Sequence, residues 1–171
     1  MKIIVLNGSP HKEGNTTALV DAFKKGAEAA GHEVTVCPVG TMKIAGCLGC
    51  EYCHTKGEGA CIQKDDMQDV YPVLNAANMV VFASAVHYFG FTGQLECALS
   101  RFYAGMKPAK ATKYGMLLSS GSPGVYAAIE TQYKSIIALC GGEDAGIIEV
   151  CGKDNKSEEA LKKAEEFGKA L

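Results

Sequence analysis

Short apolar runs alternate along the chain with longer stretches in which apolar residues recur every three or four positions. The short runs predict strands, and the periodic stretches predict helices. The third run is apolar almost throughout, which is typical of a strand buried on both faces of a parallel sheet. The predicted strands span residues 2–7, 33–37, 79–84, 114–119 and about 145–151.

Five helices are predicted between and after these strands. They span about 15–30, 67–77 and 93–104, then a stretch carrying Ile129 and Cys140 on one side, and a last segment from Ser157. Pro72 is expected to divide the second helix into a short turn and a new helix start. The alternation predicts an α/β fold, a doubly wound parallel sheet with helices on both faces. Ligands of such sheets bind beyond the carboxyl ends of the strands.

The composition is that of an ordinary globular protein and favours a single domain over residues 1–171, with 47% hydrophobic residues. The net charge of −2 gives no reason to expect nucleic acid or an anionic membrane as a partner. No apolar run is long enough to span a bilayer. The N-terminus leads directly into a strand rather than a signal segment, so a cytoplasmic location is expected.

The loop after the first strand, residues 8–17, is rich in Gly, Ser, Thr and Asn and carries Lys12. Backbone N–H groups and hydroxyls at the start of a helix form an anion site, so a phosphate is predicted here. The alternative is a plain polar connection in which Asn15 or Thr16 caps the helix. The motifs of P-loop NTPases and dinucleotide-binding Rossmann folds are absent. A monophosphate such as that of FMN is therefore favoured.

Two further loops follow predicted strands. Residues 86–92 contain His87, Tyr88 and Phe89, and residues 119–124 are rich in Ser and Gly. The aromatic side chains suit either a planar ring or a subunit interface. Because parallel strands end at one edge of the sheet, all three loops are expected to form one pocket, with a flavin ring between the second and third.

A segment of little periodicity, residues 40–64, contains four of the eight cysteines in the pattern C-x2-C-x2-C-x7-C: Cys47, Cys50, Cys53 and Cys61. Three closely spaced thiolates resemble the first ligands of bacterial iron–sulfur motifs, which favours a [4Fe–4S] cluster. Zinc, with His54 replacing one cysteine, and a set of thiols without metal are the alternatives. The remaining cysteines, Cys37, Cys97, Cys140 and Cys151, are expected to be small buried residues. Arg101 is expected to form a structural ion pair or an interface contact.

With these motifs, the chain resembles the NADPH-dependent FMN reductase group of flavodoxin-like proteins, and within it the iron–sulfur flavoproteins. The resemblance rests on the residue 8–16 loop, the cysteine motif leading into Asp65 and Asp66, and the helix from Gly93 to Arg101. It implies a flavodoxin-like three-layer fold with strand order 2-1-3-4-5, non-covalent FMN, and a homodimer or homotetramer. In such proteins the cluster passes electrons to FMN.

The resemblance also implies site residues. The candidate cofactor-binding residues it implies are Ser9, Lys12, Asn15, Thr16 and Thr17 in the first loop, Ala85, Val86, His87, Tyr88 and Phe89 in the second, and Ser119, Ser120, Gly121 and Ser122 in the third. Two more candidates come from their positions: His11, which stands where the family commonly has arginine, and Tyr126, which starts the next helix and is expected to contact the ligand or a neighbouring subunit. No catalytic acid or base stands out, which suits hydride or electron transfer. The predicted function is an FMN-dependent oxidoreductase reduced by NAD(P)H or a ferredoxin-like donor. An electron carrier without its own substrate and a zinc-stabilised binding module are the alternatives.

Overall fold

The computed structural model describes residues 1–171, and its strands and helices follow the predicted order. The strands are β1 (Lys2–Asn7), β2 (Glu33–Cys37), β3 (Met79–Ala85), β4 (Lys113–Ser120) and β5 (Glu143–Cys151). The helices are α1 (Asn15–Ala29), α2 (Tyr52–Thr55), α3 (Met67–Ala76), α4 (Gly93–Ser100), α5 (Ala127–Cys140) and α6 (Glu158–Lys169). Two 3-10 helices, Arg101–Ala104 and Gly152–Lys156, follow α4 and β5.

All five strands pair in parallel in one sheet with the order β2-β1-β3-β4-β5, which confirms the predicted flavodoxin-like topology. From β1 the chain first adds β2 on one side and then β3, β4 and β5 on the other, so the topological switch point lies between β1 and β3. Because every strand runs the same way, the loops after β1, β3 and β4 emerge at one edge. The topology thus brings the three predicted loops together.

Alternate side chains of the strands supply two cores on opposite faces of the sheet. Ile3 and Val5 point to the face covered by α1 and α6, where they join a cluster of 14 buried residues. Ile4 and Leu6 point to the face covered by α3, α4 and α5, where they join a cluster of 23 buried residues. The sheet is therefore the middle of three layers.

Two glycines allow α1 and α6 to pack with their backbones in contact. A Cβ on Gly26 would lie 1.9 Å from the carbonyl oxygen of Glu165, and one on Gly168 would lie 2.3 Å from that of Phe23. Both distances are below any real carbon–oxygen contact, so each position excludes a larger residue. The Phe23 and Phe167 rings fill the adjoining space, with centroids 5.4 Å apart.

The helix pattern differs from the prediction at Pro72. Instead of dividing the segment, Pro72 lies inside the continuous helix α3. Proline there leaves the carbonyl of Gln68 without its helical partner. Pro72 is on the exposed side of the helix, where water replaces that partner.

The residue 93–104 helix also ends earlier than predicted, because its last four residues form a 3-10 helix.

No helix in the chain combines the length and the apolar character that crossing a bilayer requires. The prediction of a single domain over residues 1–171, with a cysteine-rich insertion at about 40–64, remains a prediction. The structure shows the short helix α2 within that insertion.

Candidate functional site

The loop between β1 and α1 is held in shape by its own side chains. The Asn7 Oδ1 atom accepts a hydrogen bond from the Ser9 N–H at 3.0 Å, and the Asn7 amide donates to Thr17 Oγ1. The Ser9 hydroxyl is within 3.2 Å of both the N–H and the carbonyl oxygen of His11. Thr17 also donates its hydroxyl proton to the His11 carbonyl at 3.0 Å. The loop is therefore preorganised without a ligand.

Helix α1 begins without a side-chain cap. Its N-cap residue is Gly14, so neither Asn15 nor Thr16 caps the helix as the alternative interpretation required. No intramolecular acceptor is found for the N–H groups of Asn15, Thr16 and Thr17. An uncapped helix start presents such donors together with the positive end of the helix dipole. This arrangement suits a phosphate, and the exposed Lys12 adds a positive charge nearby.

At Gly8 and at Gly40, the absence of a side chain lets the loop after β1 pack closely against distant segments. A Cβ on Gly8 would lie 2.6 Å from Thr92 Oγ1, which donates a hydrogen bond to the Gly8 carbonyl at 2.8 Å. A Cβ on Gly40 would lie 2.2 Å from the Ser9 carbonyl oxygen. Thr92 and Gly40 were not among the predicted site residues, because their importance lies in contacts between segments distant in sequence.

The aromatic loop forms a tight two-residue hairpin. His87 and Gly90 exchange backbone hydrogen bonds of 3.0 and 3.1 Å, which leaves Tyr88 and Phe89 at the tip. These two residues have φ values of 49° and 68°, a conformation that favours Asn and Gly in such turns. Tyr88 is 97% exposed and Phe89 is 55% exposed. Unfavourable backbone angles combined with exposed rings indicate a functional surface.

The third loop joins the other two through hydrogen bonds at the ends of the strands. The Ser119 hydroxyl lies 2.8 Å from that of Thr16, and the Ser119 carbonyl accepts the Val86 N–H at 2.8 Å. All three loops therefore meet at Ser119. The structure brings together the predicted residues of the first loop with Ala85, Val86 and Ser119.

Ser120 and Tyr126 lie behind this meeting point. The Ser120 hydroxyl is 2.7 Å from the Tyr126 hydroxyl, which donates to the Val150 carbonyl at 2.9 Å. Burial raises the pKa of the Tyr126 phenol. Asn155 donates its side-chain amide to the Ser120 carbonyl, a support the sequence did not reveal. Tyr126 supports Ser120 from inside the protein, and its contact with a ligand remains a prediction. Gly121 and Ser122 are exposed beyond it.

A second candidate site is the cavity formed by the cysteine segment. All four cysteines of the motif line it, together with Arg101, Tyr103 and Ala104 of the 3-10 helix. Cys53 is buried, Cys61 is partly buried, and Cys47 and Cys50 are exposed. The Gly49 N–H lies 3.4 Å from the Cys47 sulfur as a hydrogen-bond donor. The predicted grouping of the four thiols is thus present.

The two ends of the cysteine segment run side by side. Asp66 accepts the Lys43 N–H at 2.7 Å, Asp65 accepts the Ala45 N–H at 3.0 Å, and Gln63 donates its amide to the Gly46 carbonyl at 3.0 Å. These bonds close the segment into a loop. Ser100 then fixes the loop to the end of α4 by accepting the Cys47 N–H.

Arg101 forms the predicted structural ion pair. Its Nη1 atom lies 2.7 Å from Asp65 Oδ2 and donates to the Ala45 carbonyl at 3.0 Å. The Arg101 side chain is fully buried, and the Asp65 side chain is 17% exposed. Burial raises the pKa of the Asp65 carboxyl, but the hydrogen bonds from Arg101 and Ala45 outweigh burial, so the pKa lies below its ordinary value.

His54 is engaged elsewhere. Its Nε2 atom lies 2.9 Å from the Tyr103 carbonyl oxygen, and its ring packs edge-on against the Tyr103 ring at 4.6 Å. Tyr103 in turn donates its hydroxyl proton to Glu51 at 2.9 Å. His54 does not line the cavity. Besides the four thiols, the Glu51 carboxylate lines it and accepts the Tyr103 hydroxyl proton. No three His, Cys, Asp or Glu side chains converge on a single ion position.

Helix α4 connects the two sites. Its N-cap residue, Thr92, touches the first loop at Gly8, and the residues at its other end, Ser100 and Arg101, touch the cysteine segment. At 1.5 Å per residue, a helix from Thr92 to Arg101 is about 13 Å long. The two sites are thus neighbours on one side of the sheet.

Comparison with known proteins finds similarity along most of the chain. The sequence profile of the NADPH-dependent FMN reductase family matches residues 1–149. An iron–sulfur flavoprotein of Archaeoglobus fulgidus is 36% identical over 130 residues, which cover 75% of this chain and 56% of that protein. An iron–sulfur flavoprotein of Methanocaldococcus jannaschii is 40% identical over 101 residues, which cover 59% of this chain and 50% of that protein. The matched region thus spans about half the length of these relatives.

Solved structures share the fold. An NAD(P)H:quinone oxidoreductase from Methanothermobacter marburgensis superposes with a TM-score of 0.72 at 18% identity, covering 100% of this chain and 96% of that one. An FMN-dependent NADH-azoreductase from Bacillus anthracis, solved with FMN, superposes with a TM-score of 0.73 at 13% identity, covering 100% and 99%. At these identities the likeness concerns the fold alone.

Proposed function

The chain belongs to the NADPH-dependent FMN reductase family, and we propose that it binds FMN across the loops after β1, β3 and β4 to act as an oxidoreductase. The observation that carries this proposal is the meeting of the three loops at Ser119, beside the uncapped start of α1. The FMN supplies the redox chemistry, accepting and releasing electrons. The protein supplies position and electrostatics.

The first loop would hold the phosphate. The free N–H groups of the first turn of α1 offer hydrogen bonds to phosphate oxygens. The Ser9 and Thr17 hydroxyls, which donate to the His11 carbonyl, would rotate to donate to the phosphate as well. Lys12 would balance part of the charge. A phosphate dianion forms charge-assisted hydrogen bonds, which are roughly twice as strong as neutral ones. The loop already has its shape, so little ordering would accompany binding.

The second and third loops would hold the ring. Residues 85–89 border one side, where the exposed Tyr88 and Phe89 rings offer planar apolar surface. Ser119 to Ser122 offer backbone groups and hydroxyls to the polar edge. No residue of these loops is proposed as an acid or base catalyst. The protein's part is therefore to orient the ring and exclude water from one face.

We also propose that Cys47, Cys50, Cys53 and Cys61 bind a [4Fe–4S] cluster. Two observations support it: the four thiols line one cavity, and the one carboxylate that also lines it, Glu51, already accepts the Tyr103 hydroxyl proton. Each thiolate of such a cluster binds a different iron, so the four sulfurs surround a body rather than converge on one atom. When bound, the cluster carries single electrons, and α4 would place it near the FMN.

The electron donor is a further part of the proposal. In the reductase version NAD(P)H reduces the FMN directly, and in the electron-transfer version a ferredoxin-like protein does so. Mixing anaerobic FMN-loaded protein with NADPH, with NADH or with reduced ferredoxin, while following the flavin absorbance, separates the two. Rapid bleaching by a nicotinamide supports the reductase version, and bleaching by ferredoxin alone supports the carrier version. No bleaching by any donor contradicts the proposed function.

We also propose that the chain self-associates, because it has large apolar side chains exposed to solvent. Tyr88, Phe89, Met106 and Leu139 are each about half exposed or more, and large exposed apolar groups are typical of interfaces. A homodimer or homotetramer is expected, and light scattering after size-exclusion chromatography tests it; a monomer at micromolar concentration would contradict it. The cytoplasmic location remains a proposal.

A further inference from the structure

Arg101 is the only arginine in the chain and the largest fully buried side chain. Burying a guanidinium is costly unless its charge and its donors are satisfied. A lysine is found at each of the other cationic positions, and none of those is buried in this way. Arg101 is therefore the one cationic side chain whose charge and donors must be satisfied inside the protein rather than by water.

The ion pair with Asp65 satisfies the charge of Arg101 but only some of its hydrogen-bond donors. The Nη1 atom binds both Asp65 and the Ala45 carbonyl, but the Nε and Nη2 atoms are buried and have no hydrogen-bond partner. A buried donor on a charged group is costly to leave without an acceptor. The remaining donors thus call for an acceptor that protein atoms do not provide.

The surroundings of Arg101 indicate the acceptor. Arg101 lines the same cavity as Cys47, Cys50, Cys53 and Cys61. Its Nη1 partners, Ala45 and Asp65, lie just before the first cysteine and just after the last. The residue therefore ties both ends of the cysteine segment to the end of α4.

We propose that Arg101 is a positioning residue of the cysteine-bound cluster, whose Nε–H and Nη2–H groups hydrogen-bond sulfur atoms of the cluster or its ligands and whose positive charge raises the cluster's reduction potential. This inference rests on the proposed function, in which the four cysteines bind a [4Fe–4S] cluster. Reduction adds one electron, and hence one negative charge, to the cluster. A fixed, buried cation beside the cluster stabilises the more negative form.

The first test needs no substitution, because labelling with 15N-arginine marks a single side chain. Protein loaded with the cluster and reduced with dithionite, which donates one electron per cluster, is examined by pulsed electron paramagnetic resonance. A 15N coupling that is absent from unlabelled protein is expected. Its absence in protein with a full cluster would contradict a hydrogen bond from Arg101.

The second test measures the midpoint potential of the cluster in Arg101→Gln and Arg101→Lys. At a fixed solution potential, Arg101→Gln is expected to lower the ratio of reduced to oxidised cluster at least tenfold, which is about 59 mV for a one-electron couple. Arg101→Lys keeps the charge and is expected to recover most of that shift. Lys24→Gln, which also removes a cation but lies on α1 on the other face of the sheet, is the matched control and should leave the potential unchanged.

The outcomes separate the two levels of the proposal. Wild-type protein without iron and sulfide would contradict the cluster itself and, with it, the role of Arg101. Wild-type protein with a full cluster, but equal potentials in all loaded variants and no 15N coupling, would overturn the role of Arg101 alone. A purely structural role would lower the loaded fraction in both Arg101 variants without moving the potential of the fraction that remains. If Arg101→Gln does not fold, the labelling experiment still decides.

Discussion

The two candidate sites lie at opposite ends of α4 and are built in different ways. The loop site stands where parallel strands end, and its hydrogen bonds link residues of three loops to one another, with Ser119 at the centre. The cysteine site lies in a segment with only one short helix, α2, closed by bonds between its own two ends and by Arg101. The sheet positions the first site, whereas a few side chains position the second. We therefore expect the loop site to keep its shape without ligand and the cysteine site to depend on what it binds.

The largest effect is expected from Cys53→Ser, which removes a buried thiol of the cysteine cavity. A cluster that loses one of its ligands is expected to be lost, so iron should fall from about four per chain to near zero. FMN content should stay at the wild-type level, because the loop site does not depend on the cluster. Metal analysis and the flavin spectrum measure both.

Cys97→Ser is the matched control for this change. Cys97 lies on α4, outside the cavity, and is only partly buried rather than fully buried as expected from the sequence. If Cys53→Ser keeps its iron, or if Cys97→Ser loses as much iron as Cys53→Ser, the cavity cysteines are not the ligands of a separate cluster site.

Asp65→Asn is expected to have the next largest effect. It leaves the buried guanidinium of Arg101 without its anion, which costs about 3 kcal/mol in the free energy of unfolding for a buried pair. Urea denaturation of the metal-free protein measures the loss. Asp69→Asn, an exposed carboxylate on α3, is the control and should be nearly neutral.

The same pair predicts a pH dependence. The pKa of Asp65 lies below its ordinary value in the folded protein. Its contribution is thus fully present above the unfolded pKa of about 3.9 and is lost as the pH falls through the folded value. The difference in unfolding free energy between wild type and Asp65→Asn should shrink as the pH falls from about 5 to about 2. A difference that grows in acid would rule out this ion pair.

Ser9→Ala sharpens the comparison at the loop site. Loss of one hydrogen bond to a charged phosphate costs about 1.5–3 kcal/mol, so FMN should bind roughly 10- to 150-fold more weakly. Fluorescence titration measures the dissociation constant, and the iron content should not change. Ser135→Ala on the exposed side of α5 is the control. Equal FMN affinity in Ser9→Ala and wild type would exclude Ser9 from the phosphate site.

The smallest effect is expected at the aromatic turn. Tyr88→Asn with Phe89→Gly places residues suited to positive φ where the structure has aromatic ones. The free energy of unfolding should rise by about 1 kcal/mol while FMN binding weakens. Tyr88→Ala with Phe89→Ala removes the rings without relieving the backbone and should weaken binding with no gain in stability. If the Asn-Gly variant binds FMN as well as wild type, the rings do not contact the flavin.

The sequence predicted the sheet-built region better than the cysteine region. Strand and helix periodicity predicted all five strands, the family resemblance predicted their order in the sheet, and β1 and β2 have the predicted bounds. Pro72 was misjudged because its tolerance inside α3 depends on exposure, which the pattern of that segment does not reveal. Thr92, Gly40 and Asn155 were missed because each acts through a contact with a distant segment.

In the cysteine region, the spacing of the thiols predicted the shared cavity, but no periodicity could predict how its ends are joined. The pairing of Asp65 with Ala45 and of Asp66 with Lys43 follows from the fold of the loop. Arg101 was expected to form either a structural ion pair or an interface contact, and the structure shows the ion pair. Its two unsatisfied donors beside the cysteines became visible only with the side chains in place.

The central claim is that one chain carries two redox sites, and a visible spectrum with iron, sulfide and zinc analysis of protein purified without oxygen tests it most directly. We predict flavin absorbance for one FMN per chain, together with about four iron and four sulfide per chain. Flavin without iron would contradict the cysteine site and leave the loop site standing. Colourless protein that contains zinc and no flavin would contradict the account as a whole.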